Sequence, residues 1–272
     1  MSLASQTTGM TVLGTEIFDV DGDNRPTVLL SDLHVPEGGG QVARWLATVL
    51  ANAGARRARV LVLGDLFDTY ITPAQLRAGI WKETAAMFAG AVRAGAGIAV
   101  LHGNRDFLLG DEWTRATGAV VVRGGMRIRL AGVRALLLHG DELCQDDVPY
   151  QRAKKWLRRP LLRAIARRLP LWLALRVAAR ARQRSRQVIQ QGDQARFLPT
   201  AAAIQLALQA EVEWVVFGHI HRRARGLCAG GAYWVLPAFD EEGVHLQAGQ
   251  ELSYVDVHGA PLMAPAGPLP GL

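Results

Sequence analysis

The sequence predicts an α/β fold in which helices pack on a mixed β-sheet and a helical segment is inserted. Three observations support this prediction. Apolar runs of strand length alternate with amphipathic stretches, as expected of strand-helix-strand units. A long stretch of helical composition then separates two groups of predicted strands. With 272 residues, half of them hydrophobic, the chain is long enough for one large core that carries an insertion.

The elements of the first half follow from changes in periodicity. Residues 1–26 show no clear period, and we expect them to form a frayed N-terminal extension. Apolar residues at helical spacing between residues 41 and 53 end at Gly54, a favourable helix stop. Glycine-containing turns later separate short β-rich runs, so the predicted sheet is mixed. The expected elements are strands at 27–30, 58–63, 98–101, 119–122, 127–130 and 135–138, and helices at 41–53 and 75–94.

Prolines and glycines divide the second half. Residues 150–191 are helical in composition, but Pro160 and Pro170 cut them into at least three pieces, and we expect a helical cap insertion at 149–192. The core then comprises residues 27–148 and 193–259. It includes a helix at 200–210 and strands at 213–217, 233–236, 244–247 and 252–257. Residues 260–272 are rich in Pro and Gly, and we expect a loose tail.

The basic residues are concentrated in the predicted cap. Residues 148–192 contain 11 Arg and 2 Lys, and no Asp or Glu. Removing these 13 from the 31 basic residues leaves 18 against 24 acidic residues, so the rest of the chain carries −6 although the whole chain carries +7. Such a segment favours anionic partners, namely phosphate groups, nucleic acid or an anionic membrane surface.

The sequence shows no signal for export or membrane insertion. Residues 1–26 lack the basic start and long apolar run of a secretory signal, and no stretch offers about 18 uninterrupted apolar residues. We therefore expect a cytoplasmic protein. Cys144 and Cys228 are too few for a disulfide framework and lack zinc-like spacing, so we interpret both as reduced packing residues.

Five predicted strands end in Asp, Asn or His. The first, within residues 28–34, ends in Asp32 and His34, whose spacing of two residues points both side chains the same way. The later strands end in Asp65, Asn104, His139 and the pair His219 and His221. We expect the five strand ends to converge on one edge of a sheet, which brings the seven side chains together.

Seven mixed oxygen and nitrogen ligands suit two divalent ions. They are too many for one tetrahedral site but fit two octahedral or five-coordinate ions that share a carboxylate, for which Asp65 is the natural bridge. Imidazole beside carboxylate and amide favours Mn, Fe, Zn or Co over Mg or Ca, and Mn is our first choice. Two such ions can clamp a phosphoryl group and activate water. We therefore expect hydrolysis of a phosphorus ester or anhydride, with Asp65, Asn104 and His139 as catalytic residues.

These residues lie in five short motifs with a fixed order. The motifs are Asp-x-His at Asp32, Gly-Asp at Asp65, Gly-Asn-Arg at Asn104, His-Gly-Asp at His139 and Gly-His-x-His at His219. In this combination the chain resembles the calcineurin-like metallophosphoesterase superfamily. The resemblance implies a four-layer αββα sandwich with an inserted helical cap, and a dinuclear metal centre.

A narrower resemblance extends over residues 28–243. Segments 64–68, 102–108 and 139–147, followed by Tyr150, are similar to the UDP-2,3-diacylglucosamine hydrolases of lipid A biosynthesis, which also carry a helical cap at this place. The likeness implies hydrolysis of the pyrophosphate bond of UDP-2,3-diacylglucosamine to UMP and 2,3-diacylglucosamine 1-phosphate at the inner face of the inner membrane. Ile220, where the family usually has Thr, and the unfamiliar segment 195–200 put the lipid specificity in question but not metal ligation.

The same likeness implies roles for single residues. One Mn ion would be held by Asp32, His34, Asp65 and His221, and the other by Asp65, Asn104, His139 and His219. The substrate would contact Asn104, Arg105, Asp147, Tyr150, Arg182 and Ser185. The expected partners are an acylated UDP-sugar lipid and an anionic membrane surface, with no obligate protein partner.

Structural explanations stay open for several of these residues. Arg105 can pair instead with Asp106 or Asp111. Asp147 can serve only to cap a helix that contains Tyr150. The apolar residues of the cap lie at helical spacings between arginines, and they either pack the cap on the core or meet acyl chains or a bilayer.

Two rival functions also stay open. A phosphodiesterase or nuclease could track a nucleic-acid backbone with the basic cap, but the cap offers few aromatic residues placed to stack on bases. A catalytically silent scaffold could dock through the cap, but the retention of all seven candidate ligands argues against it.

Overall fold

The computed structural model describes residues 5–20, 25–191, 194–263, 265 and 267–269, which form thirteen β-strands and eight α-helices. The strands are β1 (Ser5–Val12), β2 (Thr15–Val20), β3 (Thr27–Leu30), β4 (Arg59–Val62), β5 (Gly97–Leu101), β6 (Val120–Val122), β7 (Gly125–Leu130), β8 (Val133–Leu137), β9 (Trp214–Phe217), β10 (Ala224–Cys228), β11 (Gly231–Val235), β12 (His245–Ala248) and β13 (Leu252–Val255). The α-helices are α1 (Gly40–Ala55), α2 (Gly79–Arg93), α3 (Asp111–Thr117), α4 (Val148–Leu157), α5 (Pro160–Arg167), α6 (Leu171–Gln191), α7 (Ala201–Leu208) and α8 (Phe239–Glu242). Short 3₁₀ helices lie at Pro73–Arg77 and Gln194–Phe197.

Two sheets pack face to face between outer helices. One sheet has the order β13-β12-β3-β4-β5-β6, and the other has the order β1-β2-β7-β8-β9-β11-β10. Successive side chains of a strand point to opposite faces. In β3, Leu29 accordingly packs between the sheets, whereas Val28 and Leu30 pack with α1 and α2. Ile204 of α7 packs on the far face of the second sheet with Phe217. This order of layers confirms the predicted four-layer sandwich.

The five strands whose ends carry the predicted ligands come from both sheets. β3, β4 and β5 are parallel neighbours in the six-stranded sheet, and β8 and β9 are parallel neighbours in the other. The expectation of a single sheet edge is therefore wrong, since the strand ends meet at one edge of the two-sheet sandwich. Strands buried on both faces have continuous apolar sequences, which do not reveal the sheet to which each strand belongs.

The N-terminal residues form part of the sheet, contrary to the expected frayed extension. β1 and β2 pair as an antiparallel hairpin, and β2 pairs in parallel with β7. Ile17 is fully buried, and Arg127 of β7 binds both carboxylate oxygens of Asp19 at 2.6 and 2.8 Å. The hairpin was missed because its strands are rich in Thr and bury few large apolar side chains.

The C-terminal residues also pack on the core, contrary to the expected loose tail. Pro261 forms a β-bridge with Val255, and the N–H of Leu262 donates to the carbonyl of Tyr254 at 2.8 Å. Leu269 is buried in the cluster around α7. Pro and Gly are typical of loose tails, but a few apolar residues between them are enough to anchor this one.

Three helices form the segment predicted as the cap. Pro160 begins α5 and Pro170 directly precedes α6, so both prolines lie at helix starts, where the missing N–H costs little. Arg167 of α5 anchors the segment, because its guanidinium pairs with Glu112 of α3 and donates to the carbonyl of Leu108. No helix among the described residues is both long and apolar enough to cross a bilayer.

Both cysteines are free thiols, as predicted. Cys144 is buried, and its Sγ donates to the carbonyl of Phe197 at 3.1 Å. This contact ties the loop after β8 to the segment that leads into α7. The cysteine thus has a packing role in the described structure.

Candidate metal centre

Five of the seven predicted ligands have left-handed backbone conformations. The angle φ is 52° at Asp32, 40° at His34, 52° at Asp65, 69° at His219 and 56° at His221. Each residue lies shortly after a strand, where the chain turns out of the sheet. Residues other than glycine rarely adopt this conformation, and such strained residues cluster at functional sites. The five angles mark this edge of the sandwich as a candidate site.

Close backbone approaches hold the turns together. The N–H groups of Leu33 and His34 both donate to the carbonyl of Asp65 at 2.9 Å. A Cβ at Gly103 would lie 2.1 Å from Asp65 Oδ1, and a Cβ at Gly218 would lie 1.9 Å from the Ser31 hydroxyl. Only glycine therefore allows neighbouring strand ends to approach this closely.

Asp32, His34 and His221 form the first ligand cluster. Their ligand atoms all lie within 4.8 Å of one another. Asp32 Oδ1 is 3.6 Å from His221 Nε2 and 4.0 Å from His34 Nε2. The other oxygen of Asp32 accepts hydrogen bonds from the Ser31 hydroxyl and from the N–H of His219, both at 2.7 Å. One carboxylate oxygen is thus held by the protein while the other faces two imidazoles.

Asp32, Asp65 and His139 form the second cluster, within the same distance limit. Asp32 is therefore common to both clusters, although Asp65 was the predicted bridge. The two oxygens of Asp65 nevertheless face opposite ways, since Oδ2 is 3.1 Å from His34 Nε2 and Oδ1 is 3.8 Å from His139 Nε2. Each of the two carboxylates therefore lies close to imidazoles on both sides of the site.

Asn104 and His219 lie beside the second cluster. The side-chain amide of Asn104 points one of its two terminal atoms, O or N, into the site. This atom lies 3.0 Å from His139 Nε2, and 3.0 and 2.7 Å from the two oxygens of Asp65. The ring centroid of His219 is 5.0 Å from that of His139. The structure therefore brings all seven predicted ligands to one place.

Electrostatic interactions at this edge stabilise positive charge. Burial disfavours the charged form of His34, but hydrogen bonds to Asp240 and Asp65 raise its pKa to about 10. Burial acts likewise on His139, yet the charges of Asp65 and Asp32 raise its pKa to about 9. For Asp65, burial opposes ionisation, but the charge of His139 and the hydrogen bond and charge of His34 lower the carboxyl pKa. Buried carboxylates that favour cations beside them are what a metal site requires.

The donor set fits divalent metal ions. Asp32 Oδ1 is buried and has no hydrogen-bond partner among the described residues. The Asn104 amide can turn its nitrogen inward to donate to Asp65 and His139, or its oxygen inward, the orientation in which it could ligate a cation. The outer nitrogens of three imidazoles are hydrogen-bonded, His34 to Asp240 at 3.0 Å, His139 to the Leu63 carbonyl at 2.8 Å and His221 to Glu241 at 3.1 Å. Such outer contacts fix the tautomer and aim the other nitrogen at the metal.

Asp240 and Glu241 of α8 were missed in the sequence. They contact His34 and His221 from behind, and the N–H of Asp240 also donates to the carbonyl of Asp32 at 3.3 Å. A signal was present, because the apolar run of β11 is followed within a few residues by an acidic cluster, as at the other strand ends. The intervening Pro237 and Phe239 obscured it.

Arg105 makes different ion pairs from those considered in the sequence. Its Nη1 lies 2.6 Å from Asp68 and its Nε lies 3.4 Å from Asp65, whereas Asp111 pairs with Arg123. The guanidinium is about one-third exposed, so it lies at the mouth of the metal cluster and reaches solvent.

Asp106 does not pair with Arg105 either. Its carboxylate accepts from the N–H of Leu66 and of Gly103, at 2.7 and 2.9 Å, which braces two ligand loops. Burial and the charge of Asp65 raise the pKa of this carboxyl to about 6.

The remaining predicted substrate contacts lie at the start of the cap or on α6. Asp147 caps α4 by accepting from the N–H of Tyr150 at 3.4 Å, and the Tyr150 hydroxyl donates to Asp141. Both residues therefore have structural contacts as well as their predicted role. Arg182 and Ser185 lie on α6, but their side chains fall outside the described part of the chain.

Comparisons with known proteins agree with a metal site at this edge of the sandwich. A family model for calcineurin-like phosphoesterases matches residues 25–223, and the chain belongs to that family. The predicted superfamily is thereby confirmed, and with it a site for divalent metal ions.

Within the family, the chain is similar to enzymes named UDP-2,3-diacylglucosamine hydrolase. It is 32% identical to the enzyme of Ectopseudomonas mendocina, over 72% of this chain and 81% of the relative. It is 31% identical to the enzyme of Yersinia pestis, over 73% of this chain and 82% of the relative. Among solved structures, a cold-active protein-tyrosine phosphatase of a Shewanella species is 16% identical with a TM-score of 0.46, over 90% of this chain and 81% of that one. The two hydrolases confirm the narrower resemblance seen in the motifs.

Proposed function

We propose that the protein hydrolyses the pyrophosphate bond of UDP-2,3-diacylglucosamine to UMP and 2,3-diacylglucosamine 1-phosphate. The observation that carries the proposal is the pair of overlapping ligand clusters at the sandwich edge, next to a cap segment that is both basic and apolar. The name of the two relatives supplies the substrate. A pyrophosphate with a lipid on one side matches a metal centre, whose ions would bind the phosphate groups, beside such a cap.

We assign the seven ligands to two ions, preferably Mn. Asp32, His34, Asp65 and His221 would hold one ion, and Asp65, Asn104, His139 and His219 would hold the other. When bound, such ions supply Lewis-acid stabilisation of phosphate charge and a water of lowered pKa. Asp65 faces His34 with one oxygen and His139 with the other, and Asp32 belongs to both ligand clusters, so both carboxylates could help to hold two ions.

The protein's own groups orient the pyrophosphate. Arg105 reaches the mouth of the cluster from a fixed backbone, since its N–H donates to Asp65 Oδ1 at 2.9 Å. Its planar guanidinium can exchange the partly exposed pair with Asp68 for a bidentate contact to phosphate. Asn104, which precedes Arg105 in the chain, and Tyr150 are assigned to the sugar phosphate from the family likeness. Arg182 and Ser185 keep the same assignment from the family likeness.

The orientation of α5 supports a membrane partner. Its charged side faces the core, where Arg167 binds Glu112, while Leu161 and Ile165 are 72% and 53% exposed. Trp156 and Trp172 on the adjoining helices are also more than half exposed. A helix with its apolar side outward requires an apolar partner, and the surrounding arginines favour an anionic one. We propose that this surface rests on the cytoplasmic face of the inner membrane.

Release of UMP tests the activity. Purified protein with Mn should release UMP from UDP-2,3-diacylglucosamine, and a chelator should abolish the release. UDP-glucosamine should be a very poor substrate, because each buried acyl methylene contributes about 0.8 kcal/mol. Comparable rates on both sugars, or a preference for single-stranded DNA, would reject the lipid assignment and favour a general phosphodiesterase.

Vesicle binding tests the membrane surface. L161D and I165D should each lower sedimentation with vesicles that contain phosphatidylglycerol, and salt should weaken wild-type binding because exposed charges are screened. L227D is the matched control, since Leu227 is 87% exposed but lies on β10, outside the cap. Equal loss in L227D, or undiminished binding of L161D and I165D, would rule out this surface.

A further inference from the structure

A buried ion cluster joins the first cap helix to the loop after β8. Lys154 Nζ on α4 lies 2.8 Å from Asp141 and 3.2 Å from Glu142. The lysine side chain is only 10% exposed, and the two carboxylates are 0% and 4% exposed. One ammonium thus pairs with two buried carboxylates, which lie two and three residues after the predicted ligand His139.

Both carboxylates have further contacts that depend on their position. Glu142 accepts from the N–H of Gly140 at 3.1 Å, and Asp141 accepts from the Tyr150 hydroxyl. The amide of Gln151 adds bonds to the carbonyls of Asp141 and Cys144, at 2.7 and 3.0 Å. The contacts of α4 with this loop therefore converge on Asp141, and Lys154 supplies the ammonium that pairs with this buried carboxylate.

His139 does not depend on this cluster for its place. Its Nδ1 donates to the carbonyl of Leu63, and its own carbonyl accepts from the N–H of Gly218, both at 2.8 Å. Tyr150 differs, because the hydroxyl contact to Asp141 and the cap bond at the start of α4 fix its position. Loss of the ammonium should disturb Tyr150 more than the metal ligands.

We infer that Lys154 is a positioning residue for substrate recognition, which holds α4 and the Tyr150 hydroxyl at the metal edge through Asp141 and Glu142. The inference rests on the proposed function. In this inference, a buried lysine links the catalytic edge of the sandwich to the cap, which recognises the lipid nucleotide. The Lys154 ammonium contacts the two loop carboxylates, so its effect on the substrate is expected to be indirect.

The test compares K154M with K154R and K155M. Lys155 is the exposed neighbour of Lys154 on the same helix, so K155M removes the same charge without touching the cluster. K154M should raise the KM for UDP-2,3-diacylglucosamine about tenfold while kcat falls less than threefold. Hydrolysis of bis(4-nitrophenyl) phosphate should also fall less than threefold. K154R should recover most of the KM, and K155M should match wild type.

A double variant separates positioning from general stability. Because both side chains act through Asp141, the effect of Y150F on KM should largely vanish in the K154M background. Fully additive effects, equal losses on both substrates, or an unchanged KM in K154M would overturn the inference. Failure of the proposed function gives a different result, since wild-type protein would then release no UMP.

Discussion

The metal edge and the cap are built by opposite rules. At the metal edge, charged side chains are buried, five residues hold left-handed backbone angles, and neighbouring loops share hydrogen bonds. In the cap, large apolar side chains are exposed, and no apolar side chain of α4 or α5 is fully buried. The sandwich therefore holds its reactive groups in fixed positions through hydrogen bonds, whereas the cap presents an exposed apolar surface. We attribute the chemistry to the first region and the choice of substrate to the second.

The largest effect should come from Asp65, whose two oxygens face His34 and His139. D65N keeps the shape but removes the charge that faces His34 and His139, so turnover on every substrate should fall by about three orders of magnitude or more. Elemental analysis should show loss of both metals, and circular dichroism should show the fold retained. Near wild-type turnover at saturating Mn would refute the two-ion assignment.

Arg105 lies on the border between the two regions and should have an intermediate effect. R105A should lower kcat/KM on the lipid nucleotide about 10- to 100-fold, the value of charge-assisted hydrogen bonds to phosphate. Metal content should stay at two ions, and R105K should recover only part of the activity because it lacks the planar fork. The exposed Arg123 provides the control R123A. Metal loss in R105A would instead mean that the guanidinium supports Asp65.

The smallest of these effects should come from the contact behind His34. D240N weakens the hydrogen bond that orients the imidazole, and metal affinity should fall about tenfold, at the lower end of the range for such contacts. Activity should return at high Mn concentration. Calorimetric titration measures the affinity, with D111N at an exposed aspartate as the control. An unchanged affinity would remove Asp240 from the centre.

Sequence reasoning succeeded where one local pattern carries the information. Asp32 and His34 follow an apolar run, and this pattern recurs at each later strand end, so the side chains that meet at the sandwich edge could be named without coordinates. The helices at Pro160 and Pro170 were likewise marked by single residues. Such features depend on neighbours in the chain, which a sequence displays directly.

The features that were missed depend on partners distant in sequence. Asp19 gives β2 its place only because Arg127 lies opposite, and Leu269 is ordered only by the cluster around α7. Asp240 functions through His34, a separation of 206 residues. The outward apolar side of α5 was also hidden, because periodicity shows that a helix is amphipathic but not which side meets the core.

The N-terminal hairpin has a practical consequence for truncation. It precedes residue 25, where the family match begins, so a chain that started at that residue would lack β1 and β2. Strand β7 would then become an open edge, with unpaired backbone groups next to an uncovered apolar site where Ile17 had been. Open edges of this kind recruit strands from other molecules. The shortened protein should therefore self-associate even though every metal ligand is still present.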